Sequence, residues 1–159
     1  IKKIFGGITI SHIYEKIEPH KRFRRLQYQI EFSDDGKPEL YVKVLNDEED
    51  GVVPELFFSS AQLNTVALSV FLGGALSSHN PEVKTIFIDD PIGHFDDLNV
   101  LSFIDVIRTI ISETDWQIII STHEENFYEI MKVKLNPKYY NSKFLVFKDE
   151  GIVVEDEVL

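Results

Sequence analysis

The stretch Thr85-Ile86-Phe87-Ile88-Asp89-Asp90-Pro91 constrains this chain more than any other. A short apolar run rich in β-branched and aromatic residues, without polar alternation, predicts a strand of a parallel sheet buried on both faces. Pro91 has no N–H to continue the ladder, so the strand stops there. Two carboxylates are left at its C-terminal end, the edge at which open α/β sheets bind their ligands. Adjacent acids repel unless something positive lies between them, and a divalent cation is the usual solution. The bland alternative is an acid that caps the following helix.

The elements around this strand follow from periodicity. Ile8, Ile13, Tyr14 and Ile17 lie at helical spacing before Pro19 and predict a short helix. Leu26, Tyr28, Ile30 and Phe32 alternate with Gln27, Gln29 and Glu31, a half-buried strand that returns as Leu40 to Leu45 after the turn residues Ser33 to Pro38. Asn46 to Gly51 is expected to be a mobile, solvated acidic loop. A long helix from Ser59 carries Leu63, Val66, Ala67, Val70 and Phe71 on its inner face, is weakened by Gly73-Gly74, and closes over Ser77 to Pro81. A second helix, Leu98 to Ser112, turns Val100, Phe103, Ile104, Ile107 and Ile111 inward. Trp116 to Ser121 is a further buried strand, Glu124 to Val133 a third helix, and Lys143 to Lys148 with Ile152 to Asp156 a closing hairpin around Asp149 and Glu150.

Strand, helix and strand between Thr85 and Ser121 form a right-handed crossover, which makes the two strands parallel. Asp89, Asp90 and His123 should then share one rim. The whole chain reads as one domain, with residues 1–18 helical, 19–55 a hairpin region, 56–135 the core and 136–159 the terminal hairpin.

Composition removes several classes. A net charge of −11 disfavours a free-standing nucleic-acid binder, which needs a basic face. The one basic cluster, His20, Lys21, Arg22, Arg24 and Arg25, reads as a solvated charged turn. The absence of cysteine rules out a disulfide framework and suits a cytoplasmic setting. The longest apolar stretch, Val66 to Leu76, is too short to span a bilayer. The start at Ile1, with no initiator Met and no signal pattern, suggests a piece of a longer chain.

Three features carry chemistry. Ser59-Ser60-Ala61-Gln62 is a capping box, with Ser59 as N-cap and Gln62 reaching back, and the same helix start is an anion site beside the positive dipole end. The acids Asp89 and Asp90 are continued by Gly93-His94-Phe95-Asp96-Asp97, where Asp96 or Asp97 caps the next helix. Ser121-Thr122-His123 ends the neighbouring strand.

Taken in order over Leu56 to Leu135, these features resemble the second half of an ABC-type ATPase head of the SMC-like DNA-repair branch, the SbcC and RecN type ATPases, whose heads are split by a long coiled coil. The resemblance implies the C-terminal lobe of a P-loop NTPase: an α/β fold with a mostly parallel sheet flanked by helices and antiparallel hairpins at both ends. It implies ATP and Mg2+ as ligands. Ser59, Ser60, Ala61 and Gln62 stand at the signature sequence that contacts the γ-phosphate held by the opposite protomer, although the family form has glycine at the two middle positions. Asp89 stands at the Walker B aspartate for magnesium. Asp90 stands where most members have the glutamate that polarises the attacking water, and is one methylene shorter, which implies slow hydrolysis. Asp96 matches the D-loop aspartate and His123 the switch histidine. No Gly-x-x-x-x-Gly-Lys-Ser/Thr occurs in the chain, so no phosphate-cradling loop is present. The implied partners are a Walker A-bearing N-terminal lobe of the same polypeptide and a second head, with DNA as a possible partner of the full-length protein and no membrane. Hydrolysis is expected only in combination with that lobe, and the helix before Pro19 is where a returning coiled coil would enter.

Two rival readings remain. Asp89, Asp90, Asp96 and His123 could hold divalent ions for a nuclease or phosphatase, or the fold could serve as a non-catalytic ATPase-like interaction domain.

Overall fold

A computed structural model describes residues 10–17, 21–77, 82–148, 151–156 and 158. In chain order the elements are α1 (Ile10–Ile17), β1 (Arg25–Phe32), β2 (Pro38–Leu45), β3 (Gly51–Val52), α2 (Pro54–Phe57), α3 (Ser60–Leu76), β4 (Thr85–Asp89), α4 (Asp97–Glu113), β5 (Gln117–Ser121), α5 (Glu125–Lys134), β6 (Leu145–Phe147) and β7 (Val153–Glu155). The strands form an antiparallel sheet β1-β2-β3, a parallel pair β4-β5 and an antiparallel pair β6-β7. The fold is therefore mixed α/β, but the expectation of a mostly parallel sheet is corrected. Parallel pairing is confined to β4 and β5 among the described residues.

The hairpin pairs Leu26 with Val44, Tyr28 with Val42, Ile30 with Leu40 and Phe32 with Pro38. Directly opposite residues share a face, so these pairs form one apolar strip. Only its inner end is covered: Leu26 and Val44 are buried against Ile10, Tyr14 and Val66, while Ile30, Phe32 and Leu40 are exposed. The half-buried reading thus holds for one half of the strand. Gly36, at φ +77°, closes the turn, and Ser33 N–H donates to Lys37 O at 2.9 Å. The acidic loop is also more ordered than its composition suggests. Asn46 is buried, and its side-chain oxygen accepts from the N–H groups of Glu48 (2.9 Å) and Asp50 (2.8 Å).

Helix α3 faces inward with Thr65, Val66, Leu68, Ser69, Leu72, Gly73 and Leu76. Ala67 and Phe71, assigned inward from periodicity, are exposed. The helix is apolar nearly all round, so hydrophobic spacing does not mark its buried side. The buried hydroxyl of Ser69 donates to Thr65 O at 2.7 Å, and that of Thr65 to Ala61 O at 3.0 Å, so neither is left unpaired. Gly73 is the point where α1 crosses: a Cβ there would sit 2.2 Å from Ile10 Cγ1. Gly73 admits a neighbour, whereas Gly74 meets nothing within 4 Å and carries only the propensity cost of glycine in a helix. The helix closes at Ser77, whose N–H donates to Gly73 O at 3.1 Å. Residues 78–81, Ile8, Pro19, His20, Asp149 and Glu150 lie outside the described residues.

Helix α4 packs Phe103, Ile104, Ile107 and Ile110 into the main core, with Ile86 and Ile88 of β4, Phe127 of α5 and Leu72 and Leu76 of α3. Ile110 takes the place expected for Ile111, which is half-buried. Each fully buried side chain of this size contributes on the order of 1.5–3 kcal/mol. Strand β4 is not buried on both faces as its composition predicted. Ile86 and Ile88 point into the core, but Phe87 is 68 % exposed, and Ile119 beside it on β5 is 42 % exposed. Among the described residues, one face of the parallel pair is covered and the other is exposed.

At the C-terminal end, the hairpin β6-β7 is tied to α5 by Asp156. Its carboxylate accepts from the Tyr128 hydroxyl at 3.0 Å and pairs with Lys132 Nζ at 2.9 Å. Burial first, then the Asp156 carboxylate, pushes the Tyr128 phenol up to about 12. No helix among the described residues is long and apolar enough to cross a membrane.

Candidate functional site

The register of the parallel pair sets the geometry of the rim. Asp89 lies opposite Ser121, and the Ser121 hydroxyl donates to Asp89 Oδ1 at 2.5 Å. One residue on, the Asp90 N–H donates to Ser121 O at 2.8 Å, which extends the ladder to the strand end. Asp90 itself turns into the left-handed region at φ +45°. That conformation costs a non-glycine residue roughly 1 kcal/mol, and it swings the side chain back toward β5. Thr122 Oγ1 donates to Asp90 Oδ1 at 3.2 Å, while His123 Nδ1 lies 3.0 Å from Asp90 Oδ2. The other imidazole nitrogen, Nε2, is 3.5 Å from Glu124 Oε1. The His123 side chain is 75 % exposed and that of Asp90 34 %, so the cluster opens to solvent.

The parallel crossover therefore brings Asp89, Asp90 and His123 together, as the crossover rule predicted. Asp96 does something else within this chain: its side chain accepts from Asn99 N–H at 2.8 Å and caps α4. Ser59 and Gln62 form the reciprocal capping box of α3, with Gln62 N–H donating to Ser59 Oγ at 3.3 Å and Ser59 N–H to Gln62 Oε1 at 3.0 Å. That box leaves the N–H groups of Ser60 and Ala61 pointing along the axis, as at any helix start.

Asn64, one turn into α3, links the helix start to the acidic rim. Its amide donates to Pro91 O at 2.9 Å and Gly93 O at 3.1 Å. The loop so held begins after Asp90 and passes through His94, also left-handed at φ +71°. Sequence reasoning named Ser121 and Thr122 only as the strand end that carries His123, gave their hydroxyls no role, and passed over Asn64. The aligned strand ends, Asp-Asp against Ser-Thr, were the available signal for the two hydroxyls.

The donor set at the rim consists of carboxylates and hydroxyls, the hard oxygen ligands that magnesium prefers. A carboxylate has about four lone-pair positions, so Asp89 retains capacity beyond its bond from Ser121. Among the described residues, no group of three or more His, Cys, Asp and Glu could hold a metal by itself.

Comparison with known proteins bears on the fold. No family model matches the chain. Among solved structures it is similar to an SMC ATPase studied for ATP-driven dimerization and DNA-stimulated activation, with a TM-score of 0.62 and 18 % identity over 94 % of this chain and 82 % of that one. It is likewise similar to the Smc head domain of Pyrococcus furiosus bound to the C-terminal domain of ScpA, with a TM-score of 0.57 and 19 % identity over 92 % of this chain and 33 % of that one. The chain has the fold of an SMC ATPase head domain. By sequence it is 27 % identical over 129 residues to an anticodon nuclease of Escherichia coli, covering 78 % of this chain and 32 % of that protein. It is 25 % identical over 145 residues to an uncharacterized protein of the SCCmec type IVc chromosomal cassette of Staphylococcus aureus, covering 89 % of this chain and 19 % of that protein. The chain thus spans about a third of the first relative and about a fifth of the second.

Proposed function

We propose that the chain is the C-terminal lobe of an SMC-like ABC-type ATPase head of the SbcC and RecN kind, working in DNA repair or DNA processing once joined to a Walker A-bearing N-terminal lobe and a second head. The observation that carries this reading is the meeting of Asp90 and His123 at 3.0 Å across two parallel strand ends, beside Asp89. ATP would supply the phosphoryl group, and Mg2+, when bound, would neutralise its charge. For this chain, Asp89 would hold the ion and Asp90 would orient the attacking water; His123 sets Nδ1 against Asp90, and its Nε2, 3.5 Å from Glu124 Oε1, is the nitrogen that would turn to phosphate. Ser59, Ser60, Ala61 and Gln62 present a helix start to nucleotide on the facing head, and Asp96 lies at the approach to it. Such a site works by positioning and charge neutralisation, which needs little covalent chemistry from the protein.

The bare face of β4-β5 supports the two-lobe arrangement. Phe87 and Ile119 form an apolar surface next to the acidic rim, where a complementary lobe would both cover it and bring the missing phosphate loop. The test is to combine the chain with its Walker A-bearing lobe and measure ATP hydrolysis, with Asp90→Asn as control. Hydrolysis that needs both lobes and Asp90 upholds the reading. Fast hydrolysis by this chain alone, or none in the full polypeptide, refutes it.

A second reading, metal-dependent cleavage of nucleic acid at the same rim, is favoured by the name of the Escherichia coli relative. It predicts Mg2+- or Mn2+-dependent strand cleavage without nucleotide. The lack of a convergent three-ligand metal group among the described residues weighs against it.

A further inference from the structure

We infer that Thr122 is a positioning residue for Asp90, and that its hydroxyl does the work of aiming a water-orienting carboxylate that is one methylene short. The inference rests on the reading of Asp90 given above.

Three contacts define the arrangement. Asp90 is fixed at its backbone by the N–H bond to Ser121 O and by its left-handed φ. At the carboxylate, Oδ1 accepts from Thr122 Oγ1 at 3.2 Å and Oδ2 lies 3.0 Å from His123 Nδ1. Thr122 Oγ1 in turn accepts from the Glu124 N–H at 3.1 Å. A carboxylate oxygen accepts, so the Thr122 hydroxyl gives its proton to Asp90 while a lone pair of the same oxygen takes the Glu124 N–H, and the two bonds form a chain from the α5 entry to the carboxylate.

The two partners of Asp90 are not equivalent. His123 is three-quarters exposed, and its Nε2 lies 3.5 Å from the exposed Glu124 carboxylate, so solvent and an exposed side chain rather than packing surround its ring. Thr122 is half-buried and β-branched, with a stiff χ1 and its oxygen held from behind. It is the anchor that persists when the imidazole moves. Of about four lone-pair positions on the Asp90 carboxylate, these partners use one on each oxygen, which leaves acceptor capacity to take a water.

The experiment measures steady-state ATP hydrolysis by the full polypeptide carrying Thr122→Val, Thr122→Ser, Asp90→Asn, or Thr122→Val with Asp90→Asn. Valine keeps the shape and removes the donor, whereas serine keeps the donor. Thr122→Val should lower kcat on the order of tenfold to a hundredfold, the scale of a misplaced catalytic group. KM for ATP should change less than about twofold, because the hydroxyl touches Asp90 rather than nucleotide. Thr122→Ser should recover most of kcat, and adding Thr122→Val to Asp90→Asn should cause no further loss. Unchanged melting of the valine variant separates aiming from folding. If Asp90→Asn abolishes hydrolysis while Thr122→Val keeps the parent kcat, or if serine fails to rescue, Thr122 does not position Asp90 although the ATPase reading stands. If Asp90→Asn itself leaves hydrolysis intact, the reading of Asp90 falls and Thr122 with it.

Discussion

Gly73 and Gly74 are neighbours in one helix and should respond to alanine with opposite signs. Each gains about 0.8–1 kcal/mol of helix propensity from the substitution. Their surroundings differ. A Cβ at Gly73 would meet Ile10 Cγ1 at 2.2 Å and Ile10 Cα at 3.2 Å, while nothing lies within 4 Å of one at Gly74. Carbon atoms pack best at about 3.5–4.0 Å, so Gly73→Ala forces the Ile10 side chain to rotate and the α1 backbone to recede. Such overpacking costs about 1–3 kcal/mol. Net of propensity, Gly73→Ala should destabilise by up to about 2 kcal/mol, and Gly74→Ala should stabilise by up to about 1 kcal/mol. The difference between the two variants is free of the propensity gain, because both share it. At roughly 2–4 °C per kcal/mol for a chain of this size, the two melting temperatures should separate by several degrees. Urea unfolding followed by the fluorescence of Trp116, the single tryptophan, gives the same comparison isothermally. Equal stabilisation by both alanines would show that α1 does not cross α3 at Gly73.

Two further outcomes follow from the surfaces and the titrating groups. Phe87→Asp should leave the melting of this chain within about 0.5 kcal/mol of the parent, as expected for an exposed site, yet prevent hydrolysis when the chain is combined with its Walker A-bearing lobe; unimpaired activity would show that the β4-β5 face is not covered by that lobe. The Tyr128–Asp156–Lys132 cluster should give stability two pH limits. With its phenol raised from 10.0 to about 12, Tyr128 contributes fully below its ordinary value and loses that contribution as pH rises through about 12. Asp156, held below its ordinary value by the Lys132 ammonium and then the Tyr128 hydroxyl, contributes above the carboxylate range and loses that contribution as pH falls through its lowered value. Tyr128→Phe should flatten the alkaline limb and Asp156→Asn the acid limb in melting measured across pH; limbs unchanged by either would refute the linkage.

The rim was legible because parallel pairing follows from topology: a strand, a helix and a strand of these lengths leave Asp89, Asp90 and His123 on one edge whatever the details. The buried face of α3 was not, because an almost wholly apolar helix offers no polar side to contrast with Ala67 and Phe71. The run Ile86-Phe87-Ile88 encodes burial on both faces, but the described residues cover only one, and periodicity cannot tell what provides the cover. Ser121 and Thr122 looked like ordinary strand-end residues, since their bonds to the acids depend on register rather than on neighbours in sequence. Asn46 and α2 fell below the reach of pattern, the first being a single polar side chain organising a loop and the second a helix of 4 residues.

The unit β4-α4-β5 also bears on the order in which the molecule forms. Its paired residues are only 32 apart in sequence, and 17 of the residues between them are a helix that shortens the loop to be closed. Closure over such a span is entropically cheap and kinetically accessible early. The isolated chain can therefore assemble Asp89, Asp90, Thr122 and His123 while Phe87 and Ile119 stay exposed. Such a molecule carries a finished polar edge beside a sticky apolar face, so self-association competes with its correct partnering. Chain concentration, more than the chemistry at the rim, then sets the yield of usable molecules.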